Sequence, residues 1–122
     1  MTLEEERFAV HACLRTGLRT DMSDRTLRSL LSERFTGARL EFDVDVPVAF
    51  GAARIDFLLR GGYAVLAMGE LVLDAAFLRV RNVAADERVR WMLAVTTRGE
   101  HRGLPGGACR KPLDVFWIGG FS

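Results

Sequence analysis

Hydrophobic and polar positions alternate most cleanly between Arg39 and Val46. Leu40, Phe42, Val44 and Val46 fall on one face and Arg39, Glu41, Asp43 and Asp45 on the other. A period of two predicts a strand, and Pro47 ends it. A second alternating run follows at Arg54–Leu59, with Ile55, Phe57 and Leu59 opposite Arg54, Asp56 and Leu58. Tyr63–Met68 is apolar throughout, the pattern of a strand covered on both faces. Arg60-Gly61-Gly62 supplies a turn between these two runs, so they read as a hairpin. This places one carboxylate, Asp56, in the middle of apolar strands, where an ionised group needs a partner or a purpose.

Helical spacing governs the ends of this region. Thr2 and Glu5 fit a capping box that starts a helix near residue 3, with Phe8, Ala9, Ala12 and Cys13 as its apolar stripe and Gly17 beyond its end. Ser23 or Asp24 caps a second helix carrying Leu27, Leu30, Leu31 and Phe35, which Gly37 stops. After Gly69, the residues Leu71, Leu73, Ala76, Phe77, Val80 and Val83 predict a third helix to about Ala85. Arg90–Thr97 reads as a largely buried strand and Pro112–Ile118 as a short last one. Between them, Arg98–Lys111 is a loop rich in glycine, with Pro105 and His101. The order α-α-β-β-β-α-β-β predicts an α+β domain, a mixed sheet flanked by helices, in which a meander is followed by a helical crossover. One domain spans 1–122, with N-terminal helices over 1–36 and sheet plus crossover helix over 39–120.

Composition narrows the class. At 122 residues, 49% hydrophobic and 27% charged, the chain suits one globular core. A net charge of +1 argues against a strongly basic nucleic-acid module or a polybasic membrane anchor. No apolar run reaches the roughly 20 residues of a membrane span. Acidic residues crowd the start, where a signal peptide would be positive. Two cysteines, Cys13 and Cys109, fit a reducing compartment, so the expected location is the cytoplasm. Lys111 is the only lysine beside 16 arginines.

With this order established, Arg54-Ile-Asp56-Phe-Leu resembles the R-[IV]-D-F-[LV] strand of the PD-(D/E)XK nuclease superfamily. Ala84-Ala-Asp-Glu-Arg-Val-Arg resembles the Y-A-x-D-x-R-V segment that follows its crossover helix. Leu93-Ala-Val-Thr-Thr-Arg, His101-Arg-Gly-Leu-Pro and Lys111-Pro-Leu-Asp-Val resemble the ending of small bacterial and phage members, the likeness running from about residue 39 to 120. The resemblance implies a restriction-endonuclease-like fold and, in active relatives, an E-x-K pair on the strand after Asp56. There two carboxylates hold Mg²⁺, the metal generates hydroxide, and the lysine positions the water. Aligned on both flanks, the E-x-K positions fall on Leu66-Ala-Met68, and a helix-capping serine becomes Val72.

That substitution implies a catalytically inactive nuclease-fold protein, with Asp56 vestigial and no cofactor, which acts by binding a protein partner, itself or nucleic acid. An open Leu66/Met68 surface would favour a homodimer. The alternative is a divergent Mg²⁺-dependent endonuclease that uses Asp56, Glu70 and either Glu41 or Asp74, with Arg79 supplying charge. Against metal ligation stands a plain ion pair of Asp56 with Arg54 or Arg79. Arg98, His101, Arg102 and Lys111, with Arg79, are the candidate phosphate contacts. His11 reads as structural or solvated, Cys13 as core, and Trp91 and Trp117 as core.

Overall fold

In the computed structural model, which describes residues 1–49, 51–104 and 111–119, three helices and one short 3₁₀ turn surround a five-stranded mixed sheet. The elements are α1 (Leu3–Cys13), α2 (Asp24–Gly37), β1 (Phe42–Pro47), β2 (Arg54–Leu59), β3 (Tyr63–Ala67), α3 (Leu73–Ala84), β4 (Trp91–Thr96), a 3₁₀ turn (Gly99–Gly103) and β5 (Leu113–Trp117). Strand order follows chain order, β1-β2-β3-β4-β5. β1, β2 and β3 pair antiparallel, whereas β4 joins β3, and β5 joins β4, in parallel. The α+β class and the element order agree with the sequence. Pro105 and Cys109 lie outside the described residues. No helix among the described residues is long and apolar enough to cross a membrane.

The sheet separates two cores. α1 and α2 cover one face through Val10, Leu14, Leu27, Leu31 and Phe35, which meet Phe57, Leu59, Val65 and Leu93. α3 covers the other through Ala76, Val80 and Val83, which meet Ile55, Leu58, Leu66, Met68 and Met92. Covering both faces is what makes β3 and β4 uninterrupted apolar runs. Tyr63–Ala67 is buried at every position, as is Met92–Thr96.

Three local readings are corrected. The buried line of α1 is Glu6, Val10 and Leu14, while Phe8 is 73% exposed. An acidic residue takes the inward place because Glu6 Oε2 accepts the Gly61 N–H at 2.7 Å, which ties α1 to the β2–β3 turn. Burial pushes the Glu6 carboxyl above its ordinary range, against the opposing effect of that bond. At the end of α2, Gly37 is still helical and the left-handed position belongs to Arg39 (φ 60°), beyond which Leu40 N–H returns to Phe35 O at 3.0 Å.

β1 and β2 do not keep one apolar face each. Leu40, Phe42, Phe57 and Leu59 belong to the α1/α2 core, but Val46 and Ile55 belong to the α3 core. The faces change over where Asp45 stands opposite Asp56, between the Val44–Phe57 and Val46–Ile55 pairs. Asp45 is there in a left-handed conformation (φ 52°), which breaks the regular pleat. Val44, on the edge strand just before the change, is 56% exposed rather than in the core.

Candidate functional site

A cleft of about 530 Å³ lies beside Asp45 and Asp56, between the ends of β1, β2 and β3, the N-terminal half of α2, and α3. Asp24 and Arg28 enter it from α2, Asp45 from β1, Arg54 and Asp56 from β2, Glu70 from the β3–α3 connection, and Arg79 from α3. β3 contributes Ala67 alone.

Asp56 is 7% exposed and is held from three sides. Its Oδ2 accepts the Ala67 N–H at 2.7 Å and lies 3.1 Å from an Arg79 guanidinium nitrogen, while Oδ1 lies 3.9 Å from Arg28 Nε. The expected pairing with Arg79 is therefore present. Arg54 instead grips Asp45, its Nε donating to Oδ1 at 2.6 Å. Arg79, 16% exposed at its side chain, also donates to the carbonyls of Ala67 (2.9 Å) and Arg54 (2.8 Å). One guanidinium thus bridges the carboxylate and the ends of two strands, a use of its planar fork that a lysine could not copy.

The other carboxylates are engaged too. Asp24 Oδ1 accepts from Gly69 N (2.8 Å) and Oδ2 from Glu70 N (3.1 Å), and Glu70 Oε1 accepts from Asp24 N (3.0 Å). This reciprocal clasp fixes the β3–α3 connection to the start of α2, where Ser23 supplies the cap by accepting from Thr26 N. The role of Asp24 had no signal beyond its candidacy as a helix cap. Arg28, on the outer side of α2, gave none.

Several expected site residues lie elsewhere. Leu66 and Met68 are fully buried in the α3 core and leave no open apolar surface, so the ground given for a homodimer at that place is removed. Glu41 is exposed and pairs with Arg60 at 3.4 Å, and Asp74 is exposed on α3 outside the cleft. Val72 is the α3 N-cap position with no side-chain cap bond, as its alignment implied.

The candidate phosphate contacts do not converge. His101 is completely buried, with Nδ1 2.6 Å from Thr96 Oγ1 and Nε2 2.8 Å from Leu71 O, so both ring nitrogens serve the fold. Arg98 Nε donates to Gly69 O, Arg102 lies over the Trp117 ring, and Lys111 donates to Asp86 O. Each of these side chains is tied to a different part of the protein. Trp91 and Trp117 are partly buried, and Cys13 is partly buried with its thiol raised by desolvation.

The donor set does not fit Mg²⁺. Of the acids in the cleft, Asp56 is neutralised by arginine and spends Oδ2 on a backbone amide, Asp24 spends both oxygens on amides, and Asp45 is held by Arg54. Among the described residues, no three His, Cys, Asp or Glu side chains form a group that could hold a metal ion. Three guanidinium groups (Arg28, Arg54 and Arg79) stand against four carboxylates, so the cleft is nearly balanced in charge. Such a lining can exchange hydrogen bonds with a surface of mixed charge. It does not concentrate a polyanion.

No known protein family, curated protein or solved structure matches this chain.

Proposed function

We propose that this chain is a catalytically inactive protein of the PD-(D/E)XK type that acts by binding a macromolecular partner through the Asp56 cleft. One observation carries this reading: the strand beside Asp56 offers the cleft only Ala67, and Asp56 itself is taken up by Arg79, Arg28 and the Ala67 amide. Hydrolysis of a phosphodiester by the chemistry of this superfamily needs a second metal-holding acid and a nearby cation free to orient water. Here every arginine of the cleft faces a carboxylate and the acids are committed to amides or arginines. The balanced charge favours a protein surface over the backbone of a nucleic acid as the partner.

The test uses the full chain with Mg²⁺ and, separately, Mn²⁺. Titration calorimetry should give no stoichiometric metal binding, and supercoiled plasmid and single-stranded DNA and RNA should remain intact. One metal ion bound per chain, with cleavage that Asp56→Ala abolishes, would overturn the proposal in favour of a divergent Mg²⁺-dependent endonuclease.

A further inference from the structure

The hydrogen-bonding capacity of the Asp56 cleft is not spent evenly. Arg79 uses all three guanidinium nitrogens, on Arg54 O, Ala67 O and Asp56 Oδ2. Arg54 uses Nε and a terminal nitrogen on Asp45. Each acid beside them keeps an oxygen in reserve. Asp56 Oδ1, Asp45 Oδ2 and Glu70 Oε2 accept no hydrogen bond among the described residues, their other oxygens being taken by Ala67 N–H, Arg54 and Asp24 N–H. The cation beside the first of these oxygens is Arg28. It stands 3.9 Å from Asp56 Oδ1, makes no hydrogen bond among the described residues, and is 43% exposed at its side chain.

The unfilled acceptors lie where two cavities meet. Asp45 and Asp56 stand opposite each other on β1 and β2, where like charges destabilise a strand pair unless a cation offsets them. Both acids, with Arg28, also line a second cavity of about 350 Å³, whose wall includes Ser29 and Ser32 of α2 and the exposed Val44. The two cavities share these three charged side chains, so a groove runs past them between α2 and β1.

We propose that this groove receives an arginine side chain of a partner protein, which displaces Arg28 from Asp56, a proposal resting on the reading of the cleft as a binding site. A guanidinium is a planar fork of donors with no acceptor, and so supplies what the three free oxygens lack. Four carboxylates against three guanidinium groups leave the lining one positive charge short. Asp56 is only 7% exposed, so a charge-assisted bond to its Oδ1 is shielded from water and stronger than a surface pair. Arg28 holds that place weakly, without a hydrogen bond and from a side chain open to solvent. Val44 at the rim offers apolar surface to the stem of the incoming side chain. Once displaced, Arg28 is left to pair with an acid of the partner, which accords with a partner surface of mixed charge. A phosphate would instead meet three carboxylate oxygens that have no proton to give.

The test follows the backbone amide signals of the ¹⁵N-labelled full chain by NMR, without metal, as a capped tripeptide with a central arginine is added. The amides of Asp45, Asp56 and Ala67, the last bonded to Asp56, should shift saturably. The same tripeptide carrying citrulline, the uncharged isostere, should leave them in place. Arg28→Ala should tighten binding about threefold because the competing cation is gone, and Asp45→Asn should weaken it about threefold. Both side chains are open to solvent, and asparagine accepts the left-handed backbone of residue 45, so both variants keep the fold. No saturable shift with arginine, equal shifts with citrulline, or an affinity indifferent to both substitutions would each overturn the proposal. Shifts of these amides by a single-stranded oligonucleotide, with none by the arginine tripeptide, would overturn it in favour of a nucleic acid. A chain that binds no arginine yet takes up no metal and cleaves nothing loses this proposal alone. One that takes up metal and cleaves loses the reading of the cleft itself.

Discussion

Replacing Asp56 by alanine should destabilise the protein by about 3–4 kcal/mol, and the structure says from where. The Ala67 N–H loses its acceptor in a buried strand, worth roughly 1–3 kcal/mol. Arg79 loses its carboxylate, and removing one member of a buried pair costs about 3–5 kcal/mol when nothing replaces it. Here the cost falls at or below the low end of that range, because Arg79 keeps the carbonyls of Arg54 and Ala67. Asp56→Asn retains an oxygen for the Ala67 amide and should cost only about 1–2 kcal/mol. Asp56→Ala combined with Arg79→Met should be less harmful than Asp56→Ala alone, since the uncompensated cation is gone.

Urea unfolding followed by tryptophan fluorescence gives these differences, provided the slope with denaturant is unchanged. A domain of this length has roughly 6–18 kcal/mol of total stability, so every variant remains measurable. Unchanged or increased stability on Asp56→Ala would refute the reasoning. A carboxylate kept for metal chemistry at the expense of the fold would behave in that way.

Other consequences are simpler to measure. Arg39→Gly should raise stability by about 0.5–1 kcal/mol in urea unfolding, because Arg39 holds the left-handed turn at φ 60° that glycine adopts without penalty. Glu6→Gln should stabilise by roughly 1 kcal/mol at neutral pH, since burial opposes the charge while the amide oxygen can still accept the Gly61 N–H. A raised folded pKa contributes stability below the unfolded value and loses it as pH rises through the folded one, so the advantage of the variant should vanish in acid. Leu66→Glu with Met68→Lys should unfold the protein or leave a molten state by circular dichroism, because both side chains lie wholly within the α3 core.

The hairpin, the helices and the order of elements were legible because each has a local cause: the capping box at Thr2 and Glu5, the period of α2, the glycines of the β2–β3 turn. What escaped the sequence was everything set by contacts between distant elements. Glu6 is inside because a turn 55 residues away presents an amide to it. Asp24 clasps a connection 45 residues away, and His101 bridges Thr96 to Leu71. Nothing in a loop rich in arginine and glycine distinguishes a buried, saturated histidine from one that meets phosphate. The face change at Asp45 is likewise invisible in a run that alternates without fault from Leu40 to Val46, because a left-handed aspartate leaves no mark on periodicity.

On the proposed reading, that face change also decides where an acid and an ammonium would have to stand to face Asp56. If β2 kept one face, the acid and ammonium would belong at positions 66 and 68, and two substitutions could restore them. With the faces exchanged, the β3 residue in the cleft is Ala67, and the place two residues on is Gly69. A Cβ at Gly69 would stand 2.8 Å from Thr97 Oγ1 and 3.1 Å from Asp24 Oδ1, so a lysine there must displace the clasp that fixes the β3–α3 connection. A glutamate at Ala67, a residue 1% exposed, would compete with Asp56 for Arg79 and leave one carboxylate underpaired. Ala67→Glu with Gly69→Lys should therefore lower stability by about 3 kcal/mol or more and still yield no Mg²⁺-dependent cleavage of plasmid DNA. Cleavage by that variant would mean that Asp24 and Arg79 yield easily, and that the cleft is a nuclease site only two residues from working order.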